Sequence, residues 1–229
     1  MRDEYYINGY MMGQLTGHAQ LLQALHRLMT APVHSGYTWE QKYPNTFDLR
    51  PNAHAYDPCV IDTLFLSGVP ALLNELIGPD MVLTHTQIRR SLPGPSYMDW
   101  HRDTYVYDGN RVGNFPPAHK VIFYPRFGGA PHPKLKLVPG SHRLAHQSHV
   151  ADMRIIDGVE HVAYASSDDQ FILFDTSMMH GVIPDVERAG SIRIIYSFLR
   201  VPQYTTTLAC NPLHEEQFEL YTRRLREMT

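Results

Sequence analysis

The chain has 229 residues, a formal net charge of −3, and 43% hydrophobic against 19% charged residues, a balance that suits a globular protein with a substantial core. The slight negative charge argues against nucleic acid as the main partner, because phosphate binding requires a concentrated positive surface. Two cysteines, Cys59 and Cys210, exclude a disulfide framework and CxxC metal spacing, and the polar start "MRDEYYINGYMMGQ" lacks the apolar segment of a signal peptide. No run approaches the ~18 apolar residues of a membrane span, so the expected location is the cytoplasm.

Leu15, Leu21, Leu22, Leu25, Leu28 and Met29 recur at helical spacing, with Thr16 as N-cap. "SGVPALLNELIG" predicts a second helix: Ser67 caps it, Pro70 suits its first turn and Gly78 closes it. From residue 81 the texture changes to short β-branched and aromatic runs, "MVLTHTQI", "HKVIFYP", "KLKLV", "QFILFD" and "SIRIIYSFL", separated by Gly/Pro turns. Such runs predict a β-sandwich or barrel of the jelly-roll kind. The tail predicts an amphipathic helix over about 211–228 with Phe218, Tyr221 and Leu225 inward. With no repeat, linker or low-complexity segment, one domain is expected: a helical part to about residue 80, a β core over about 81–202, and the terminal helix.

"DWHRDTYVY" at 99–107 raises the question of a metal. In a strand, residues i and i+2 share a face, so His101 and Asp103 present an imidazole and a carboxylate together while Arg102 turns away and outward. His-x-Asp alone is more often an incidental pair than a metal grip. His180 supplies a third candidate ligand directly after the apolar strand of "QFILFDTSMMHGV", with Gly181 relieving crowding behind the imidazole. Two histidines and one carboxylate leave three metal positions open, as in non-haem Fe(II) oxygenases. A hydrolytic zinc site uses three protein ligands too, so the triad does not choose the metal.

Arg193 sits inside the apolar run "SIRIIYSFL", 13 residues after His180. A buried guanidinium costs several kcal/mol unless it meets an anion. A small dicarboxylate would satisfy it, because the planar fork matches a carboxylate, and Ser197 adds a hydroxyl on the same strand face. The alternative is an internal ion pair with an acid from elsewhere.

Taken together, "WHRD" at 100–103, "LKLVPGSHR" at 135–143, "FILFDTSMMHG" at 171–181 and Arg193 resemble the phytanoyl-CoA dioxygenase family of Fe(II)/2-oxoglutarate-dependent oxygenases. "EYYINGYMMGQL" looks like that family's opening strand and helix. The resemblance implies a mainly β fold with flanking helices, built on a cupin-like double-stranded β-helix. It implies Fe(II) held by His101, Asp103 and His180, and 2-oxoglutarate anchored through Arg193. Further cosubstrate contacts are expected from the neighbouring strands, with Gln87 and Lys120 the candidates beside Ser197. The implied reaction converts 2-oxoglutarate and O2 to succinate and CO2 while oxidising, by default hydroxylating, a C–H bond of a small molecule. One departure is local: "GGAPHPKLK" stands where the family often has an Asn-Gly turn. A carboxylate at Asp103 argues against halogenation, since resembling halogenases carry a small residue there.

Other features read more plainly. "VPGSHR" is a tight turn whose Ser141 and His142 tie backbone groups. His142, His146 and His149 have helical spacing, but no carboxylate or cysteine completes a second metal set. Trp100 is expected in the core and Tyr105 along the pocket. Arg89, Arg90, Arg102, Arg126, Lys134 and Lys136 fall near the expected mouth; solvated surface charge is the plainer reading, and an anionic substrate the other. The expected partner is a small-molecule substrate rather than nucleic acid or membrane, in a monomer or homodimer. A metal-binding jelly roll that holds a ligand without turning it over is the rival from a different functional class.

Overall fold

A computed structural model describes residues 1–30, 37–50, 57–94, 98–103, 118–125, 134–144, 149–157, 162–164, 169–183, 191–200 and scattered helical positions between 219 and 227. The inward residues expected of the tail, Phe218, Tyr221 and Leu225, lie outside the described residues, as do Tyr105 and His146.

The elements run α1 (Arg2–Asn8), β1 (Tyr10–Gln14), α2 (Ala19–Thr30), β2 (Thr38–Tyr43), β3 (Thr46–Arg50), α3 (Cys59–Leu66), α4 (Val69–Leu76) and β4 (Met81–Ser91). They continue as β5 (His119–Tyr124), β6 (Lys134–Leu137), a 3-10 turn (Ser141–Arg143), α5 (His149–Ile156), β7 (Val162–Tyr164), β8 (Gln170–Asp175), β9 (His180–Ile183) and β10 (Ser191–Arg200). Seven strands form one sheet in the order β1-β8-β5-β10-β4-β3-β2, and three form a second in the order β7-β6-β9.

The alternation of side chains explains the layering. On the major sheet Val121, Phe123, Phe171, Leu173, Ile192, Ile194 and Tyr196 face α2, α3 and α4 in one core. Their neighbours Ile122, Tyr124, Ile172, Phe174 and Ile195 face the minor sheet, meeting Leu135, Leu137 and Val182 in a second core. A sheet buried on both sides reads as a near-continuous apolar run, as "VIFY" and "FILF" do. Against this background the polar residues on the inner face, Gln87, Arg89, Lys120 and Arg193, mark where packing gives way to a site. The expected jelly-roll architecture with flanking helices is the observed one.

The second helix does not begin on a Ser67 cap: α3 ends there, Gly68 in the left-handed region (φ 69°) is the N-cap, and Pro70 sits in the first turn of α4 as expected. Thr16 does not cap α2 but donates its hydroxyl to the Leu66 carbonyl. The β2–β3 hairpin gave no readable signal, because its outer strand is largely exposed and carries "TWEQKY". No single helix among the described residues is long and apolar enough to cross a membrane; α3 and α4 together reach that length but are bent by 55° and contribute Val60, Ile61, Leu64, Val69 and Leu73 to the core.

Candidate metal centre

His180 is not the end of the apolar strand. β8 stops at Asp175, the chain turns through Thr176–Met179, and His180 opens β9 in the opposite sheet. Asp175 makes that turn, its Oδ1 accepting the Ser177 amide at 2.8 Å and the Ser177 hydroxyl, an Asx-turn that the flanking apolar residues conceal. The segment Met98–Asp103 runs beside β9: His101 and His180 exchange both backbone hydrogen bonds at 2.8 Å, Val182 N donates to Met98 O at 3.1 Å, and Asp103 N donates to Thr176 O at 3.0 Å. The two histidines are thus paired backbone to backbone, with ring centroids 4.3 Å apart.

Each imidazole is oriented by a carbonyl. His101 Nδ1 lies 2.7 Å from Asp99 O and His180 Nδ1 lies 2.9 Å from Met178 O. A carbonyl only accepts, so both rings carry their proton on Nδ1 and leave the Nε2 lone pair for something else. Both Nε2 atoms stand 3.7 Å from an Asp103 oxygen, too long for a hydrogen bond, and His101 Nε2 is buried without a partner. The ligand atoms of His101, Asp103 and His180 all fall within 4.8 Å of one another, and no other such group of histidine, cysteine or carboxylate occurs among the described residues. Two lone pairs and a carboxylate converging on one point, one of them an orphan, are what a divalent cation fits.

The electrostatics agree. Burial pushes the His180 imidazole down to about 3, with His101 adding to the effect, and burial also lowers His101. For Asp103, burial works toward protonation, but the Lys120 ammonium and the two histidines outweigh it and hold the carboxyl well below its ordinary range. Lys120 Nζ donates to Asp103 Oδ2 at 2.6 Å. All three groups are therefore in their metal-binding protonation states at neutral pH.

A cavity opens from this cluster between the sheets, lined by Asp103 and His180, apolar Ile122, Phe174, Val182 and Ile195, and basic Lys42, Arg89, Lys120 and Arg193. Lys120 is balanced by Asp103 and Arg89 by the buried Asp48 behind it, and the positive charge that Lys42 and Arg193 add to the lining suits an anion. Arg193 Nη1 donates to Ser91 Oγ at 3.0 Å. Beside it, Arg89 binds Asp48 of β3 through two bonds of 2.6 and 2.8 Å, both residues buried. Asp48, Arg89 and Arg193 form one row across β3, β4 and β10. Asp48, the acid in this row, gives its bidentate bonds to Arg89.

Of the other expected cosubstrate contacts, Gln87 and Lys120 line the cavity, Gln87 Nε2 also donating to Asp48 Oδ2 at 3.3 Å. Ser197 is buried further along β10 and is not among the lining residues. Trp100 is only half-buried, its ring 4.2 Å from Lys136 Nζ. Gly181 serves a different neighbour from the one expected: a Cβ there would lie 2.5 Å from Lys136 Cε and 3.2 Å from Asp99 O, so the glycine admits the backbone that orients His101. "VPGSH" is structural as expected, Ser141 Oγ accepting the Met179 amide at 2.9 Å and donating to Val138 O at 2.6 Å.

Arg102 overturns its sequence reading. It turns away from the cluster, yet it is not outward: it is 0% exposed and paired with Asp152 of α5 at 2.7 Å. Strand alternation predicts the direction but not what lies there, and α5 had no signal beyond a short polar-apolar mixture. Lys42, Tyr43 and Asp48 were likewise invisible, because they come from the unread hairpin.

No family model matches the chain, and no curated sequence matches it. Solved structures do. HygX from Streptomyces hygroscopicus, with nickel and 2-oxoglutarate bound, aligns at TM-score 0.66 and 11% identity over 88% of this chain and 87% of that one. The epimerase SnoN, in complex with Fe3+, alpha ketoglutarate and nogalamycin RO, aligns at 0.66 and 12% over 87% and 82%. EctD from S. alaskensis, with 2-oxoglutarate and 5-hydroxyectoine, aligns at 0.61 and 19% over 88% and 76%. At these identities the shared property is the fold, and the chain has the double-stranded β-helix of these proteins.

Proposed function

We propose that the chain is a non-haem Fe(II)- and 2-oxoglutarate-dependent oxygenase that oxidises, by default hydroxylates, a C–H bond of a small metabolite. The observation that carries it is the convergence of His101 Nε2, His180 Nε2 and the Asp103 carboxylate on one point, in a cavity whose basic residues include Arg193. The solved structures of the same fold that hold 2-oxoglutarate with nickel or Fe3+ support the choice of cofactors. The quoted motifs favour the phytanoyl-CoA dioxygenase family within that group.

His101, Asp103 and His180 would hold the metal, beside the cavity that Asp103 and His180 line. Iron bound there would supply, with 2-oxoglutarate and O2, the oxidant for the substrate C–H bond, and 2-oxoglutarate would be converted to succinate and CO2. The chain contributes the rest. Arg193 receives the distal carboxylate of 2-oxoglutarate, and Ser91 steadies the guanidinium. Lys120 keeps Asp103 ionised. Ile122, Phe174, Val182 and Ile195 exclude water from the space beside the metal, which strengthens the charge contacts there.

Two measurements test this reading. Anaerobic Fe(II) plus 2-oxoglutarate is expected to give a visible metal-to-ligand charge-transfer band. With O2, succinate is expected to form and to vanish in an Asp103→Ala/His180→Ala double variant. Succinate that persists unchanged in that variant overturns the site. A silent spectrum with tight ligand binding identifies a binding protein instead.

A further inference from the structure

Arg102 lies between two of the candidate ligands in sequence and is fully buried. Its Nε and Nη2 donate to the two Asp152 oxygens at 2.7 and 3.1 Å, and its Nη1 donates to the carbonyls of Ser141, at 2.7 Å, and Ser177. Four of the five N–H donors a guanidinium owns are thereby used. These bonds join four pieces of chain: the 98–103 segment, the 3-10 turn, the turn before His180, and α5.

The position of this junction is what gives it meaning. Arg102 is covalently next to His101 and Asp103. Ser177 is three residues before His180, and Ser141, whose carbonyl Arg102 holds, grips the Met179 amide with its hydroxyl. Asp152, 2% exposed, ties the assembly to α5, which packs through Ile156 against Val138 and Met179. A buried ion pair contributes little net stability compared with apolar residues of the same shape, and its attested use is to fix one geometry. Here the geometry it fixes is the spacing between the His101/Asp103 segment and the His180 turn.

We infer that the Arg102–Asp152 pair is a positioning device that preforms the metal centre, so that α5, outside both sheets, controls metal affinity through it. The inference rests on the metal-centre reading proposed above. Partners behind metal ligands commonly alter affinity by about 10–100-fold.

The full-length metal-free chain is titrated anaerobically with Co(II), whose visible bands report coordination geometry. Asp152→Asn and Arg102→Lys are expected to weaken Co(II) binding about 10–100-fold and to change the band pattern, while the circular dichroism of the folded chain is retained. A folded variant that binds Co(II) with wild-type affinity and spectrum overturns the inference and leaves the pair merely structural. Wild-type chain that does not bind Co(II) overturns the underlying metal-centre reading instead. Should neither variant fold, the wild-type protein still decides by NMR: the Arg102 Nε–H is expected to exchange slowly without metal. Fast exchange without metal, with protection appearing only on Zn(II) addition, overturns preformation.

Discussion

His101 and His180 face each other across a two-way backbone hydrogen bond, each amide 2.8 Å from the other's carbonyl. Side chains so paired cannot drift independently, and their Nδ1–H groups are already committed to carbonyls. Both imidazoles are held neutral at pH 7 by burial and Asp103 is held ionised. Metal therefore has no proton to displace. Co(II) binding is expected to release close to no protons between pH 6.5 and 8, as measured by calorimetry in buffers of different ionisation enthalpy. Release of about one proton or more per metal at pH 7 would contradict the assigned states.

The same burial makes the metal-free fold sensitive to acid. His180 and His119 are lowered by burial to about 3 and about 4, against an ordinary 6.5. Below pH 6.5 the unfolded chain takes up protons that the folded chain refuses, so stability falls as pH drops from about 7 toward 4, by up to roughly 1.4 kcal/mol per pH unit for each histidine. Asp103, held low in the fold, adds a loss only below its ordinary range of about 4. Urea midpoints of metal-free protein are expected to decline across this window. A flat profile from pH 7 to 5 would exclude the mechanism.

Arg193 differs from a stability residue in what its loss changes. Arg193→Met is expected to raise the KM for 2-oxoglutarate by about 10–100-fold, the loss of a charge-assisted hydrogen-bond pair, with a smaller change in kcat. Pyruvate, which lacks the distal carboxylate, serves as control: its weak coupled or binding response is expected to be the same in both proteins. An equal effect on both oxo acids would place Arg193 elsewhere in the mechanism.

Asp48 and Arg89 make the opposite prediction. Asp48→Ala leaves a buried guanidinium without its bidentate carboxylate, and a cost of about 3–5 kcal/mol is expected in urea unfolding. Asp48→Ala/Arg89→Leu removes both charges and is expected to recover most of that loss. A double variant no more stable than Asp48→Ala would show that the ion pair is not the source of the penalty.

Five strands beyond residue 81, β4, β5, β6, β8 and β10, begin within their expected runs, four of them marked by β-branched or aromatic side chains and β6 by the Lys/Leu alternation of "KLKL", while the short β7 and β9 fall in no expected run. The triad was legible because the i, i+2 spacing of His101 and Asp103 and a histidine beyond an apolar strand survive changes of detail. His180 did move, from the end of that strand to the start of β9, when Asp175 turned the chain. In the β2–β3 hairpin, β2 was illegible because an exposed edge strand has no periodicity to read, and β3, buried and paired on both sides, is only five residues long; with them went Lys42, Tyr43 and Asp48.

Sequence by itself determined the alternation that builds two facing sheets, the three side chains that meet, and a basic residue placed inward on β10. The alternation and the inward base are consequences of local chemistry and period, which one chain segment states alone, whereas His180 joined His101 and Asp103 through the third ligand that a metal requires. Only tertiary structure decided that Asp48 pairs with Arg89 rather than Arg193, that Lys120 bonds Asp103, and that Arg102 is buried against Asp152. Each depends on which distant segment packs against it, and a charge's partner 41, 17 or 50 residues away leaves no local pattern.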